Sequence, residues 1–226
     1  MPHAPCPNTN LTAIVLAGGQ SARMGEDKAL LKIQGIPLLE RVCTIAQACA
    51  DTVYIVTPWP ERYQNLLLPD CKFIQESPSS PVPSPQYPVP STQSPIPSPQ
   101  SPIPNPQPHG PLIGFAQGLA QVHTDWVLLL ACDLPRLRVE VLQEWIARLD
   151  TVGDDAIAAL AHHAKGWEPL CGFYRQRCLP QLLEFINQGG RSFQQWLKQN
   201  SVQVLPLLEP EMLFNCNTPE DLWKVN

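Results

Sequence analysis

A chain of 226 residues with 44% hydrophobic content can bury one substantial core or two small ones. Its net charge of −5 gives no general attraction to nucleic acid or anionic lipid, so any basic site must be local. No window approaches the ~18 apolar residues needed to span a bilayer, and the start MPHAPCPNTN has no signal-peptide pattern, so a cytoplasmic protein is expected.

The eight cysteines, Cys6, Cys43, Cys49, Cys71, Cys132, Cys171, Cys178 and Cys216, include no CxxC pair. That spacing excludes a zinc ribbon or a thioredoxin-type motif and leaves reduced, largely structural thiols as the simplest reading.

Residues 1–10 form a polar, proline-containing tail expected to be flexible, ahead of one domain over 11–226. Thr12-Ala-Ile-Val-Leu-Ala17 is a short β-branched apolar run of the kind that forms a buried strand. Gly18-Gly19 breaks it, and a polar loop follows with Arg23, Asp27 and Lys28. Pro37 sits at a plausible first helical position, and Leu38, Leu39, Val42, Ile45 and Ala46 mark one helical face. Thr52 to Thr57 reads as a second strand, Glu61 to Leu67 as a short helix and Lys72 to Gln75 as a weaker third strand.

Composition then changes abruptly. Four tandem heptads, SPVPSPQ, YPVPSTQ, SPIPSPQ and SPIPNPQ, fill Ser80 to Gln107. Of the 31 residues from Pro78 to Pro108, 13 are proline and none is charged. Such a segment cannot donate a regular hydrogen-bond ladder and has little apolar surface to bury, so 77–109 is expected to be a disordered, polyproline-II-biased insert. Two readings compete: a ligand for a proline-binding groove, or a tolerated repeat expansion in a surface loop.

Regular structure resumes at His109-Gly-Pro-Leu-Ile-Gly114 with a helix through Val122. Trp126-Val-Leu-Leu-Leu-Ala131 is apolar throughout, as a central parallel strand should be, and ends in Cys132-Asp133-Leu-Pro135. A helix over Val139 to Leu149 and strands over Ala156 to Leu160 and Pro169 to Tyr174 come next. Helices over Cys178 to Asn187 and Ser192 to Gln199, a strand over Val202 to Leu205 and a last short helix capped by Thr218 complete the chain. This alternation predicts an α/β protein, a predominantly parallel sheet with helices on both faces and a ligand site beyond the carboxyl ends of the strands.

The chemistry follows from what stands at those ends. Glycines offer close backbone approach and N–H donors to a phosphate, and Arg23 and Lys28 offer countercharge. A structural turn with solvated charges explains the glycines equally well when they are taken alone. No GxxxxGK[ST] and no GxGxxG occur, which removes the Walker and dinucleotide readings. Asp133, after a wholly apolar strand, suits either a turn or Mg2+, which binds through one or two carboxylates plus substrate phosphates. Together, cations and one carboxylate on the same sheet edge match phosphoryl or nucleotidyl transfer. Adjacent His162-His163 point to opposite faces of a strand and read as ordinary polar residues.

LAGGQSARMGEDK at 16–28, GPLIG at 110–114, ACDLP at 131–135, EPL at 168–170 and FNCNTPEDL at 214–222 resemble, in order, the motifs of the molybdenum cofactor guanylyltransferases. That resemblance implies a Rossmann-like three-layer nucleotidyltransferase fold and transfer of GMP from GTP to molybdenum-bound molybdopterin, with pyrophosphate released. It further implies that Leu16, Ala17 and Gly18 line the guanine and ribose, that Gly19 also contacts GTP, that Arg23 and Lys28 meet phosphates, and that Asp133 holds Mg2+ bridging the GTP phosphates. Arg191, Asn215 and Asn217 would face the pterin. Thr57 stands where the family tends to have Asn and Glu76 where it tends to have Asp; both are carried as nucleotide contacts. Gly18, where related LAAG enzymes have alanine, favours guanine over cytosine. A CTP-using or other small-molecule nucleotidyltransferase and a non-catalytic cofactor carrier remain open alternatives. Molybdoenzymes or their chaperones are the expected protein partners, with no role for nucleic acid or membrane.

Overall fold

A computed structural model describes residues 10–18, 27–77, 110–218 and Asp221. Residues 1–9 of the expected tail, 78–109 of the expected insert, Gly19, Arg23 and most of the expected last helix lie outside the described residues.

The apolar runs become strands where both faces are covered. β1 (Leu11–Leu16) leads to a 3-10 turn, Lys28–Leu30, then to the small antiparallel pair β2 (Lys32–Ile33) and β3 (Ile36–Pro37). α1 (Leu38–Gln47), β4 (Thr52–Thr57), a 3-10 turn at Pro60–Tyr63 and β5 (Cys71–Gln75) follow. After the insert come α2 (Pro111–Leu119), β6 (Trp126–Ala131), α3 (Val139–Ile146), β7 (Ala158–His163) and β8 (Gly166–Arg175). α4 (Leu179–Asn187), α5 (Phe193–Leu197), β9 (Val202–Leu205) and a 3-10 turn at Pro210–Leu213 come next.

Seven strands form one sheet in the order β5-β4-β1-β6-β8-β7-β9. Strand alternation divides the apolar side chains between two layers. Ala13 and Val15 of β1 and Leu128 and Leu130 of β6 face the side that α1 and α3 cover with Leu39, Val42, Leu142 and Trp145. Ile14, Val127 and Leu129 face the opposite side, under Phe115 and Leu119 of α2, Leu182 of α4 and Trp196 of α5. Continuous rather than alternating hydrophobicity is the signature of such a doubly covered strand. The three-layer α/β arrangement expected from the sequence is therefore the one observed.

Several local expectations are corrected. β8 is longer than Pro169 to Tyr174 and runs antiparallel to both β6 and β7, so strand and helix do not alternate here. The Ala164-Lys165 turn and Gly166, at φ +117°, make a hairpin whose exposed polar tip masks the strand pattern in sequence. Glu61 to Leu67 is not a helix; only a 3-10 turn at Pro60–Tyr63 forms. Pro37 closes β3 immediately before α1 instead of starting the helix, and α3 stops at Ile146, with a separate 3-10 turn at Leu149–Thr151.

Strand order fixes where a ligand can sit. From β1 the chain moves outward through β4 to β5, then returns to place β6 on the other side of β1. The crevice at such a reversal, beyond the carboxyl ends of β1 and β6, is where open α/β sheets bind ligands. Among the described residues, no helix is long and apolar enough to cross a membrane.

Candidate active site

A cavity of about 440 Å³ opens at that reversal. The ends of β1 and β6 supply Leu16, Ala17, Gly18, Ala131, Cys132 and Asp133 to its wall. Val56 and Glu76 line it from the ends of β4 and β5, Gly110, Pro111 and Gly114 from the start of α2, and Leu170 from β8. Asp27, Lys28 and Ala29 complete the wall on the 3-10 turn.

Backbone hydrogen bonds carry the sheet one residue past its strands. The N–H of Ala17 donates to Val56 O at 2.9 Å, and that of Cys132 donates to Leu16 O at 3.1 Å. Gly18 emerges from this lattice against the ring of Pro58. A Cβ placed on Gly18 would lie 2.8 Å from Pro58 Cδ and 3.2 Å from Glu76 Oε2. Only glycine fits there without a shift of its neighbours.

The charged groups gather at the mouth. Lys28 Nζ lies 3.5 Å from Asp133 Oδ2 and donates to Asn217 Oδ1 at 2.6 Å. The Asn217 segment is docked by two further bonds. Cys216 N–H donates to the carbonyl of Asp133 at 3.0 Å, and Asn217 N–H donates to Asp221 Oδ2 at 3.1 Å. Burial raises the Asp133 carboxyl above its ordinary value, and the neighbouring Lys28 ammonium opposes that rise. The adjacent Cys132 thiol is also pushed up, chiefly by burial and then by Asp133, so it is no nucleophile.

Asp27 is held as firmly as Asp133. Its Oδ1 accepts the N–H of Ala29 at 3.1 Å, capping the turn that carries Lys28. Its Oδ2 accepts the hydroxyl of Tyr63 at 2.8 Å and lies 3.7 Å from Arg62. Burial, then Asp27, pushes the Tyr63 phenol up, so that hydroxyl keeps its proton and donates.

The structure thus brings together Leu16, Ala17, Gly18, Lys28, Glu76 and Asp133 around one cavity, with Asn217 bonded to Lys28 at its edge. Thr57, carried as a nucleotide contact, does not line it, and neither do Arg191 and Asn215 of the expected pterin side. Thr57 is buried, and its hydroxyl accepts the N–H of Trp59 at 3.2 Å. Arg191 turns back to the carbonyls of Ile186 and Gly190, at 2.8 Å and 2.7 Å. Asn215 is exposed, two residues from Asn217. Sequence reading missed Tyr63, because its bonds to Asp27 and Ala17 span 36 and 46 residues of chain, and it passed over the local cap that Asp27 makes to Ala29. Gly110, Pro111 and Gly114 were legible as part of GPLIG, though not as cavity wall.

The family model for the MobA-like NTP transferase domain matches residues 13–86 and 89–204. The chain belongs to the MobA-like NTP transferase family. It is accordingly a nucleotidyltransferase. A protein of Nostoc sp. (strain PCC 7120) named "Probable molybdenum cofactor guanylyltransferase" is 68% identical over 213 residues, covering 94% of this chain and 89% of that protein. The "Molybdenum cofactor guanylyltransferase" of Pseudomonas putida (strain GB-1) is 31% identical over 209 residues, covering 92% and 93%. The fold is shared with the crystal structure of molybdopterin-guanine dinucleotide biosynthesis protein A from Archaeoglobus fulgidus, at a TM-score of 0.68, 22% identity and coverage of 95% and 96%.

Proposed function

We propose that the protein transfers GMP from GTP to the terminal phosphate of molybdenum-bound molybdopterin, forming the guanine dinucleotide cofactor and releasing pyrophosphate. The observation that carries this reading is the convergence of Lys28, Asp133 and Asn217 at the mouth of a cavity walled by Gly18 and Glu76. Family membership and the printed names of the relatives support it.

The cavity divides naturally between base and phosphates. Leu16, Ala17 and Gly18 lie against the guanosine, with Glu76 as the polar group that reads the base. A carboxylate accepts the N1–H and 2-amino hydrogens of guanine, whereas cytosine presents an acceptor at the corresponding ring nitrogen. Lys28, with Arg23, neutralises the phosphate oxygens, and Asn215, Asn217 and Arg191 belong to the pterin side. Nucleotidyl transfer needs no protein nucleophile, because the pterin phosphate attacks the α-phosphorus in line and pyrophosphate leaves from the opposite face. The work left to the protein is alignment and charge stabilisation.

Asp133 suits a Mg2+ ion: a hard oxygen donor at the cavity wall, next to where the phosphates would lie. A Mg2+ ion bound there would take its other ligands from phosphate and water. When bound, Mg2+ would neutralise charge developing on the phosphate oxygens.

Pyrophosphate release measured with Mg2+, molybdenum-loaded molybdopterin and each nucleoside triphosphate tests the proposal. Turnover with GTP and little with CTP is expected. Turnover with CTP alone would overturn the base assignment, and none with any triphosphate would favour a carrier.

A further inference from the structure

We propose that Tyr63 is a positioning residue for Lys28, acting through Asp27 to fix the root of the lysine side chain relative to the end of β1. The inference rests on the reading of Lys28 as a phosphate contact.

Tyr63 is 1% exposed, with its ring in the layer under α1. A phenylalanine would fill that space equally well, so the hydroxyl needs its own explanation. Burying a hydroxyl is costly unless it is hydrogen-bonded. This one sits 3.2 Å from Ala17 O and 2.8 Å from Asp27 Oδ2, sharing its single proton between them. Those two acceptors belong to the residue that follows β1 in the cavity wall and to the residue immediately before Lys28.

The two oxygens of Asp27 are divided between two tasks. One caps the turn through Ala29 N, while the other meets Tyr63 and Arg62. Arg62 is itself planted on the indole face of Trp59, 4.0 Å from the ring centroid. The 3-10 turn at Pro60–Tyr63 therefore presents one hydrogen-bond donor and one cation to a single carboxylate. At its far end, the lysine reaches Asn217 and Asp133. A lysine has much rotamer freedom to lose on binding, so a root fixed in advance lowers the cost of placing its ammonium on a phosphate.

Calorimetric titration with GTP and with guanosine, in Mg2+ buffer, separates this role from general packing. The proteins compared are the native chain, Tyr63→Phe, Lys28→Ala and the double variant. Tyr63→Phe should weaken GTP about fivefold, the worth of one hydrogen bond, and leave guanosine within about twofold. The double variant should bind GTP no more weakly than Lys28→Ala, because the tether has nothing left to position. Equal weakening of both ligands, or losses that multiply in the double variant, would overturn the proposal. If Lys28→Ala leaves GTP binding unchanged, the phosphate role of Lys28 fails and the tether falls with it. If Lys28→Ala weakens GTP but Tyr63→Phe does not, the tether alone fails. Should Tyr63→Phe not fold, Asp27→Asn takes its place: its one side-chain oxygen can serve the cap or the tether, and the same non-additivity with Lys28→Ala is expected.

Discussion

Replacing Gly18 with alanine tests the tightest contact in the cavity wall. The added methyl would sit 2.8 Å from Pro58 Cδ, about 0.6 Å inside the 3.4 Å at which ordinary contact begins. Pro58 Cδ is a ring atom bonded to the backbone nitrogen, so it cannot swing aside as the end of a long side chain would. Relief requires movement of the chain after β4, of Gly18 itself, or of both. The same methyl lies 3.2 Å from Glu76 Oε2 and pushes against the carboxylate assigned to the base. Overpacking of this kind costs roughly 1–3 kcal/mol. At about 2 kcal/mol, and about 2–4 °C per kcal/mol for a chain of this size, Tm should fall by about 4–8 °C. Because the displacement is at the base-reading wall, KM for GTP should rise at least about tenfold, while kcat changes less. The ratio of GTP to CTP turnover should fall in the same experiment. Scanning calorimetry and pyrophosphate release with each triphosphate give the three readouts. An unchanged Tm together with an unchanged GTP to CTP ratio would refute the reasoning, since neither the overlap nor the wall would then matter.

Other residues give sharper contrasts between stability and activity. Asp133→Asn should lower turnover by about 100-fold or more, with excess Mg2+ failing to restore it. The same change should leave Tm at pH 7 equal to or above that of the native chain. The folded-state pKa of Asp133 is raised, so ionisation there opposes folding; that penalty is full above the folded pKa and fades as pH falls from it to the unfolded value. A variant less stable than the native chain at pH 7 would contradict this sign. Among the described cysteines, Cys71 should be alkylated before Cys132, Cys171 and Cys178. A hydrogen bond from Cys43 lowers the half-buried Cys71 thiol, whereas burial raises the other three, Cys178 to about 12. Peptide mapping after brief iodoacetamide treatment reads the order, and labelling of Cys171 first would count against it. Replacing residues 78–109 with a short Gly-Ser linker should leave activity within a few-fold. Gln117 holds both the N–H and the carbonyl of Ser77, at 3.0 Å and 2.9 Å, one to two turns along the helix from Gly110. At 1.5 Å per residue the linker has about 10 Å of helix to cover, and a loss of turnover beyond tenfold would show that the insert contributes to catalysis.

Local chemistry made much of this protein legible in its sequence. Apolar runs long enough for strands, breaks at Gly18, Thr57 and Asp133, and a helix between most pairs of strands sufficed to predict a doubly covered sheet. They also placed the Gly18 and Asp133 ends on one edge, because parallel strands carry their carboxyl ends the same way. The β7–β8 hairpin escaped, since its polar tip obeys neither strand alternation nor a helical period. What sequence could not supply is every relation that depends on two segments meeting in space. Thr57 and Glu76 look alike as polar residues at strand ends, yet the hydroxyl of one turns to Trp59 and Tyr63 while the other walls the cavity. Arg191 and Lys28 look alike as cations in polar loops that carry glycines, yet one is turned to nearby carbonyls and the other faces Asp133 and Asn217. Backbone preference and hydrophobic period act over a few residues and are written locally. Which donor meets which acceptor is decided by packing across the whole sheet, and that choice exists only once the chain has folded.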